Sequence, residues 1–526
     1  MVKIDAKNKN FSNSSKAMTL ILGFFTGISR ILGFLRQVLF VYFFGAGNAA
    51  DVFNFAFNIP NNLRKLLAEG ALSSAYIPEI SASLQRDPTK KEAALIVRTQ
   101  LTFQLIVLIP LTILMIYFAP EIIHFLSDFT DEHSTIASIK LFRYLIFYLM
   151  LVSISAILMA SLNAVSRFVI PGITPVLFSI AVITSIFLFH KSFSIYAMVI
   201  GVLGGGLAQI LFQIPQFIKE GFSLAPRFDF TSPPFVRILL RYFPVVLSSG
   251  IFMVLEMFAH YLASKMEVGS ITAIANSLVI WQLPFGIFSV SIITVLFPKM
   301  SRQAHRSDID GLKKSICEGL NGFISFIIPS SLFLYFVAPL VVSAIYYRGA
   351  FTLENVDATA YVLKAYSVGL IFISGFQFLQ RYFYASNSYV IPFVASLFVA
   401  LVDVSFSILF YRMGLGATGL AWSNTICYFL GFLFLLICMV VSLKGMLIVP
   451  IFKTFLKVAI SMAPMMGIIW GFNSFFPYVY TTSSSLIRIL ALFLLASCCI
   501  LLVLLLYILM KVEVFSDIFI RKLKGR

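Results

Sequence analysis

The chain has 526 residues, 60% of them hydrophobic and only 12% charged, with a formal net charge of +17. A soluble domain carries about 25% charged residues, so a water-facing surface of this size is excluded. Apolar segments of roughly 20 residues recur from end to end, which predicts an all-α, polytopic membrane protein. A β-barrel would show short alternating strands instead. The five cysteines, Cys317, Cys427, Cys438, Cys498 and Cys499, have no metal-type spacing and suggest no disulfide framework.

In chain order, residues 1–17 are polar and basic and read as a cytoplasmic tail. Fourteen spanning segments are expected at 18–44, 51–80, 93–118, 137–162, 168–189, 194–218, 236–264, 271–298, 314–346, 358–384, 388–411, 415–443, 449–474 and 485–511. Residues 512–526 form a basic tail. Prolines interrupt several segments, at Pro60, Pro244, Pro284 and Pro329, and would permit bends. With the N-terminus inside, the inner loops and ends hold 22 Lys and Arg. The outer loops hold 4, namely Lys191, Lys265, Arg348 and Arg412. This asymmetry places both termini in the cytoplasm. It also directs the positive charge at lipid headgroups, with no call for nucleic acid.

Three short matches repeat in order. SRFVIP at 166–171 parallels NSYVIP at 387–392, YIPEIS at 76–81 parallels LFPKMS at 296–301, and GGLAQ at 205–209 parallels TGLAW at 418–422. The near-constant offset implies two six-helix lobes of like topology, 18–218 and 236–443, followed by two further helices at 449–511. Parallel repeats of this kind are a transporter architecture.

Charges sit where they are expensive. Arg30 lies about 18 Å into the first segment at 1.5 Å per residue, and a central Arg costs roughly 2.5–3.5 kcal/mol to insert. Arg36 follows six residues later, which turns the two guanidinium groups about 120° apart. In the second segment Pro60 can free backbone groups for Asn61 and Asn62 to satisfy. Lys65 and Glu69 have ordinary helix-pair spacing, leaving Arg64 as the better ligand. Snorkelling, or structural pairing of the arginines with Asp51 or Glu69, is the plainer account of these charges. Three arginines in one hairpin otherwise suit a polyanion, pyrophosphate being the obvious candidate. Further on, Glu256 and Asp403, the latter with Ser407, are intramembrane carboxylates. They are either proton or cation sites or partners of Arg381.

SRILGFLR, GAGNAADVF, IPNNLRKLLAEGALS and YIPEIS closely resemble the signature of the bacterial lipid II flippases (the MurJ/MviN family), within the multidrug/oligosaccharidyl-lipid/polysaccharide exporter superfamily. The resemblance continues through WQLPFGIFSVSIITVLFPKMS, YYRGAF and YSVGL. It implies fourteen helices, two six-helix lobes and a C-terminal pair (449–474, 485–511) forming a groove for the polyprenyl tail. It implies that Arg30, Arg36 and Arg64 line a central cavity and hold a lipid diphosphate. Asp51, Asn61 and Glu69 match further motif positions. Glu256, Asp403, Ser407 and Asn424 fall near a sodium site.

The expected activity is movement of undecaprenyl-diphosphate-linked peptidoglycan precursor, lipid II, from the inner to the outer leaflet of the bacterial cytoplasmic membrane. The expected partners are lipid II, membrane lipids and other cell-wall synthesis proteins. The chain would act as a monomer, without a cofactor beyond a Na+ or H+ coupling ion. Two positions depart from the family pattern. Gln37 replaces an acidic residue after the second arginine. Val279, in SLVIWQLP, replaces an arginine of the eighth helix, whose place Gln282 or Lys265 could take. A flippase for another polyprenyl-linked glycan is the nearest alternative. A membrane enzyme acting on polyprenyl phosphates fits less well. His124, His133, His190, His260 and His305 form no close cluster, and no acidic metal motif sits on an inner loop.

Overall fold

The computed structural model describes residues 24–66, 71–87, 89–445, 447–482 and 484–512, and among these no strand occurs. The chain divides into two compact units, Met1–Lys265 and Met266–Arg526.

The first unit runs α1 (Phe24–Phe44), α2 (Asn48–Arg64), α3 (Ala71–Arg86), α4 (Lys91–Tyr117), α5 (Ala119–Leu126), α6 (Glu132–Leu145), α7 (Phe147–Ala164), α8 (Val169–Phe193), α9 (Tyr196–Lys219) and α10 (Pro233–Ser264). The second runs α11 (Ser270–Pro284), a π turn (Phe285–Ser289), α12 (Val290–His305), α13 (Ile309–Tyr346), α14 (Leu353–Ala385), α15 (Val390–Arg412), α16 (Gly416–Ser442), α17 (Ile448–Phe475) and α18 (Ser485–Leu509). Twelve helical stretches among the described residues are long and apolar enough to cross a membrane; α6–α7 and α11–α12 each count as one. The segments expected at 51–80 and 236–264 correspond to α2–α3 and α10, which are not among the twelve.

The sequence repeat has a structural counterpart. Ser166 of SRFVIP and Asn387 of NSYVIP both adopt positive φ, 61° and 56°. In each turn the next residue's N–H bonds a carbonyl five positions back, Arg167 to Leu162 at 2.8 Å and Ser388 to Phe383 at 2.9 Å. This is the hydrogen bond that closes a helix through a left-handed residue. The following helices then begin at equivalent valines, Val169 and Val390. YIPEIS and LFPKMS likewise each place a proline inside a helix, Pro78 in α3 and Pro298 in α12.

Small residues set the packing of the first unit. Gly201 and Gly205 lie four apart on one face of α9, the spacing that lets membrane helices approach closely. A Cβ on Gly201 would lie 2.8 Å from the Val182 backbone, and one on Gly205 2.8 Å from the Phe178 ring. Thus α8 and α9 meet almost backbone to backbone, and Phe178 is pinned between them and its neighbours. Outside, α18 presents Phe493, Leu494 and Leu501, as suits contact with lipid. Arg488, by contrast, is fully buried. It donates to the carbonyls of Thr482 and Tyr347 and lies 4.5 Å over the Tyr347 ring, so it ties α18 to the end of α13.

Helix α10, which the repeat assigns to the second lobe (236–443), falls in the first compact unit. Three ion pairs hold it there along its length. Arg237 bonds Glu79 of α3 at 2.6 Å, Glu256 meets Lys65 at 3.2 Å, and Lys265 just past its end meets Asp128 at 2.9 Å. Between the helices, Glu220 is nearly buried, flanked by Lys90 at 2.8 Å and Arg167 at 2.7 Å. Hydrogen bonds from Lys90 and then Arg167 hold its carboxyl below the usual range, against the opposing effect of burial.

Candidate functional site

A cavity of about 350 Å³ opens inside the first unit, bordered by α1, α2, α7, α8 and α9. Its polar lining includes Arg36 from α1, Asn61 and Arg64 from α2, Ser155 from α7 and Gln209 from α9. Phe57, Tyr148 and Phe178 supply aromatic walls. That volume lies within the range of roughly 300–1,000 Å³ common to ligand pockets.

Each arginine is oriented by a neutral group. The Arg36 guanidinium carbon sits 5.2 Å from the Phe178 ring centroid, a cation–π geometry. Arg64 donates through Nε to Asn61 Oδ1 at 3.1 Å. Asn61 is therefore spent on a side chain rather than on the backbone around Pro60. Its neighbour Asn62 donates to Asn58 at 2.7 Å, and Asn58 donates to Glu256 at 3.3 Å. Two cations sharing one low-dielectric cavity repel each other and favour an anion between them. Guanidinium forks match the paired oxygens of phosphates.

The other site residues expected from the sequence fall elsewhere. Arg30 is exposed and does not border this cavity, in keeping with the wide angle between it and Arg36 on one helix. Asp51 is buried in the first turn of α2, away from the cavity lining. Glu69 lies outside the described residues. Lys65, which spacing would pair with Glu69, meets Glu256 instead. Arg381 rests against the rings of Phe297 and Tyr384, 5.7 and 6.0 Å away.

In the second unit, α15 carries Asp403 and Ser407 about one turn apart. Ser423, which the sequence reading did not include, joins them: it donates to Asp403 Oδ1 at 2.8 Å and accepts from Ser407 at 3.0 Å. Oxygen donors of this kind fit a hard cation. The backbone oxygen of Asn424 accepts from the Cys427 thiol at 3.0 Å. Glu256 belongs to the first unit and is engaged by Lys65 and Asn58. Val279 is half-buried in α11. Of its two suggested substitutes, Lys265 is committed to Asp128 and Gln282 is exposed.

Sequence reasoning also missed Ser155, Gln209, Tyr148 and Phe178. Gln209 sits in the repeated GGLAQ, which was a usable signal. The other three are ordinary residues in apolar helices and carried none.

A family model described as the lipid II flippase MurJ matches residues 40–491. A probable lipid II flippase of Borreliella burgdorferi is 34% identical over 466 residues, covering 88% of this chain and 91% of that protein. One from Vibrio cholerae is 30% identical over 362 residues, covering 67% and 69%. Among solved structures, the lipid II flippase MurJ in an inward closed conformation aligns with a TM-score of 0.78 at 25% identity, over 95% of this chain and all of that one. An inward-facing MATE family transporter of the MOP superfamily, 16% identical, shares the fold with a TM-score of 0.68 over 79% of this chain and 95% of its own. The chain belongs to the lipid II flippase family.

Proposed function

We propose that this chain moves lipid II from the inner to the outer leaflet of the bacterial cytoplasmic membrane. The observation that carries the reading is the convergence of Arg36, Arg64 and Asn61 on one cavity inside a unit of membrane-crossing helices. A polyprenyl diphosphate presents several oxygens to two guanidinium forks, and each charge-assisted hydrogen bond contributes about 1.5–3 kcal/mol. Phe178 and Asn61 hold those forks in place before the lipid arrives, which lowers the ordering cost of binding.

Alternating access then carries the headgroup across, as in other two-lobed transporters. Both termini face the cytoplasm, α17 and α18 take the polyprenyl tail, and the protein works as a monomer. Arg30 and Glu69 serve the same diphosphate at another stage of the cycle, and buried Asp51 supports α2. A coupling ion, Na+ or H+, would be held in the second unit by Asp403 with Ser407 and Asn424. It would link the membrane gradient to the lobe movement.

The test is lipid II flipping in proteoliposomes of purified protein. Arg36→Ala and Arg64→Ala are expected to reduce transport at least tenfold each. Transport of lipid II at the wild-type rate by both variants would overturn the reading. Transport of a different polyprenyl-linked glycan in preference to lipid II would redirect it.

A further inference from the structure

Two polar groups on the cavity wall are not accounted for by the diphosphate. Gln209 is 8% exposed, and its Nε2 donates to the Thr174 carbonyl at 3.2 Å. Exchanging its amide N and O would set two carbonyl oxygens against each other, so the orientation is fixed. Its Oε1 has no donor among the described residues, although a buried acceptor left without one is costly. Ser155 is 3% exposed and accepts from Gln213 Nε2 at 2.7 Å. That bond occupies a lone pair and leaves the hydroxyl proton to be donated. The same Gln213 amide donates to the Gln209 backbone carbonyl at 3.0 Å. Gln213 thus links Ser155 to the Gln209 backbone, and both residues border the cavity, from α7 and α9.

The cavity wall therefore holds an orphan acceptor and a free hydroxyl donor, on helices other than those that carry the arginines. We infer that Ser155 and Gln209 recognise the sugar next to the diphosphate, through a group that pairs an N–H donor with a C=O acceptor, as an acetamido substituent does. Gln209 Oε1 accepts from the N–H and Ser155 Oγ donates to the carbonyl. The arginines then read the diphosphate, and this pair reads the first sugar. Both residues are specificity-determining, and the inference rests on the proposed diphosphate site. A site that hydrogen-bonds a substrate N–H or O–H discriminates strongly against an analogue lacking it.

The experiment measures binding of three probes to the purified full-length protein. They are undecaprenyl diphosphate, the same lipid carrying an N-acetylated amino sugar, and the same lipid carrying a plain hexose. Wild type is expected to prefer the acetamido lipid over the hexose lipid by roughly tenfold, the loss of one to two buried hydrogen bonds. Gln209→Leu and Ser155→Ala each remove most of that preference and leave binding of undecaprenyl diphosphate unchanged. Gln100→Leu is the control, since Gln100 is also buried in the first unit, on α4, and does not border the cavity. It perturbs packing but keeps most of the preference.

An undiminished preference in Gln209→Leu overturns the inference, as does a wild type that shows no preference. If all three variants lose it equally, the role is structural and the inference also fails. Failure of the diphosphate site itself is read separately. It appears as unchanged undecaprenyl diphosphate binding in Arg36→Ala and Arg64→Ala.

Discussion

The two units share a repeated turn and a repeated proline helix, yet they place different charged groups among their apolar helices. In the first, Arg36 and Arg64 are positioned by a ring and an amide around an open cavity. In the second, Asp403 accepts from the Ser423 hydroxyl, which in turn accepts from Ser407. Val279 stands where the family resemblance implies a second-lobe arginine. The scaffold is set by turn residues and small residues, whereas the chemistry depends on a few side chains that change without disturbing it. In the proposed function the anion belongs to the first unit, and the second carries a carboxylate suited to a cation.

The largest expected effect breaks the first half of that contrast. The double variant Arg36→Ala/Arg64→Ala loses transport by a factor of about 100 or more, two charge-assisted contacts at roughly 1.5–3 kcal/mol each. Its thermal stability stays near wild type, because both side chains border an open cavity, where truncation leaves the helix packing intact. Asp403→Asn probes the other half. Transport falls about tenfold, the scale of one lost favourable ion contact, while equilibrium binding of lipid II is unchanged. A matching loss of binding would merge the two roles.

Two variants then test the scaffold rather than the chemistry. Gly201→Ala sets a Cβ 2.8 Å from the Val182 backbone and should cost about 1–3 kcal/mol of stability through overpacking, read as a lower melting temperature in detergent. Glu220 gives a pH signature. Its carboxyl is held below the usual range in the folded protein, so its contribution is present above the unfolded value. That contribution disappears as pH falls through the folded value. Wild type should therefore lose part of its stability margin over Glu220→Gln on acidification below about pH 4.3, the unperturbed Glu value. An unchanged margin at low pH would mean that the Lys90 and Arg167 pairs contribute nothing. Smallest of all, Val279→Ala should leave transport unaltered, since no ligand role is assigned there.

Much of this was legible in the sequence. Apolar segment length announced the membrane helices, and SRFVIP with NSYVIP marked a repeat, whose two copies share a positive-φ turn that the sequence did not announce. The motif around Pro60 marked Asn61 and Arg64, because charge and amide side chains in an apolar run stand out by cost. Local spacing failed where partners are distant. Lys65 found Glu256 across 191 positions rather than a residue one turn away, and α10 joined the first unit through Arg237, Glu256 and Lys265. Phe178 and Ser155 were invisible because an aromatic ring or a hydroxyl in a membrane helix is common. Only the packing of α7, α8 and α9 shows which ones face the cavity.

The central claim is that the first unit alone holds the diphosphate. Equilibrium binding of undecaprenyl diphosphate to purified Arg36→Ala/Arg64→Ala protein, compared with wild type, tests it most directly. The predicted result is at least a hundredfold weaker binding with an unchanged melting temperature. Binding within threefold of wild type would contradict it and place the anion site elsewhere in the molecule.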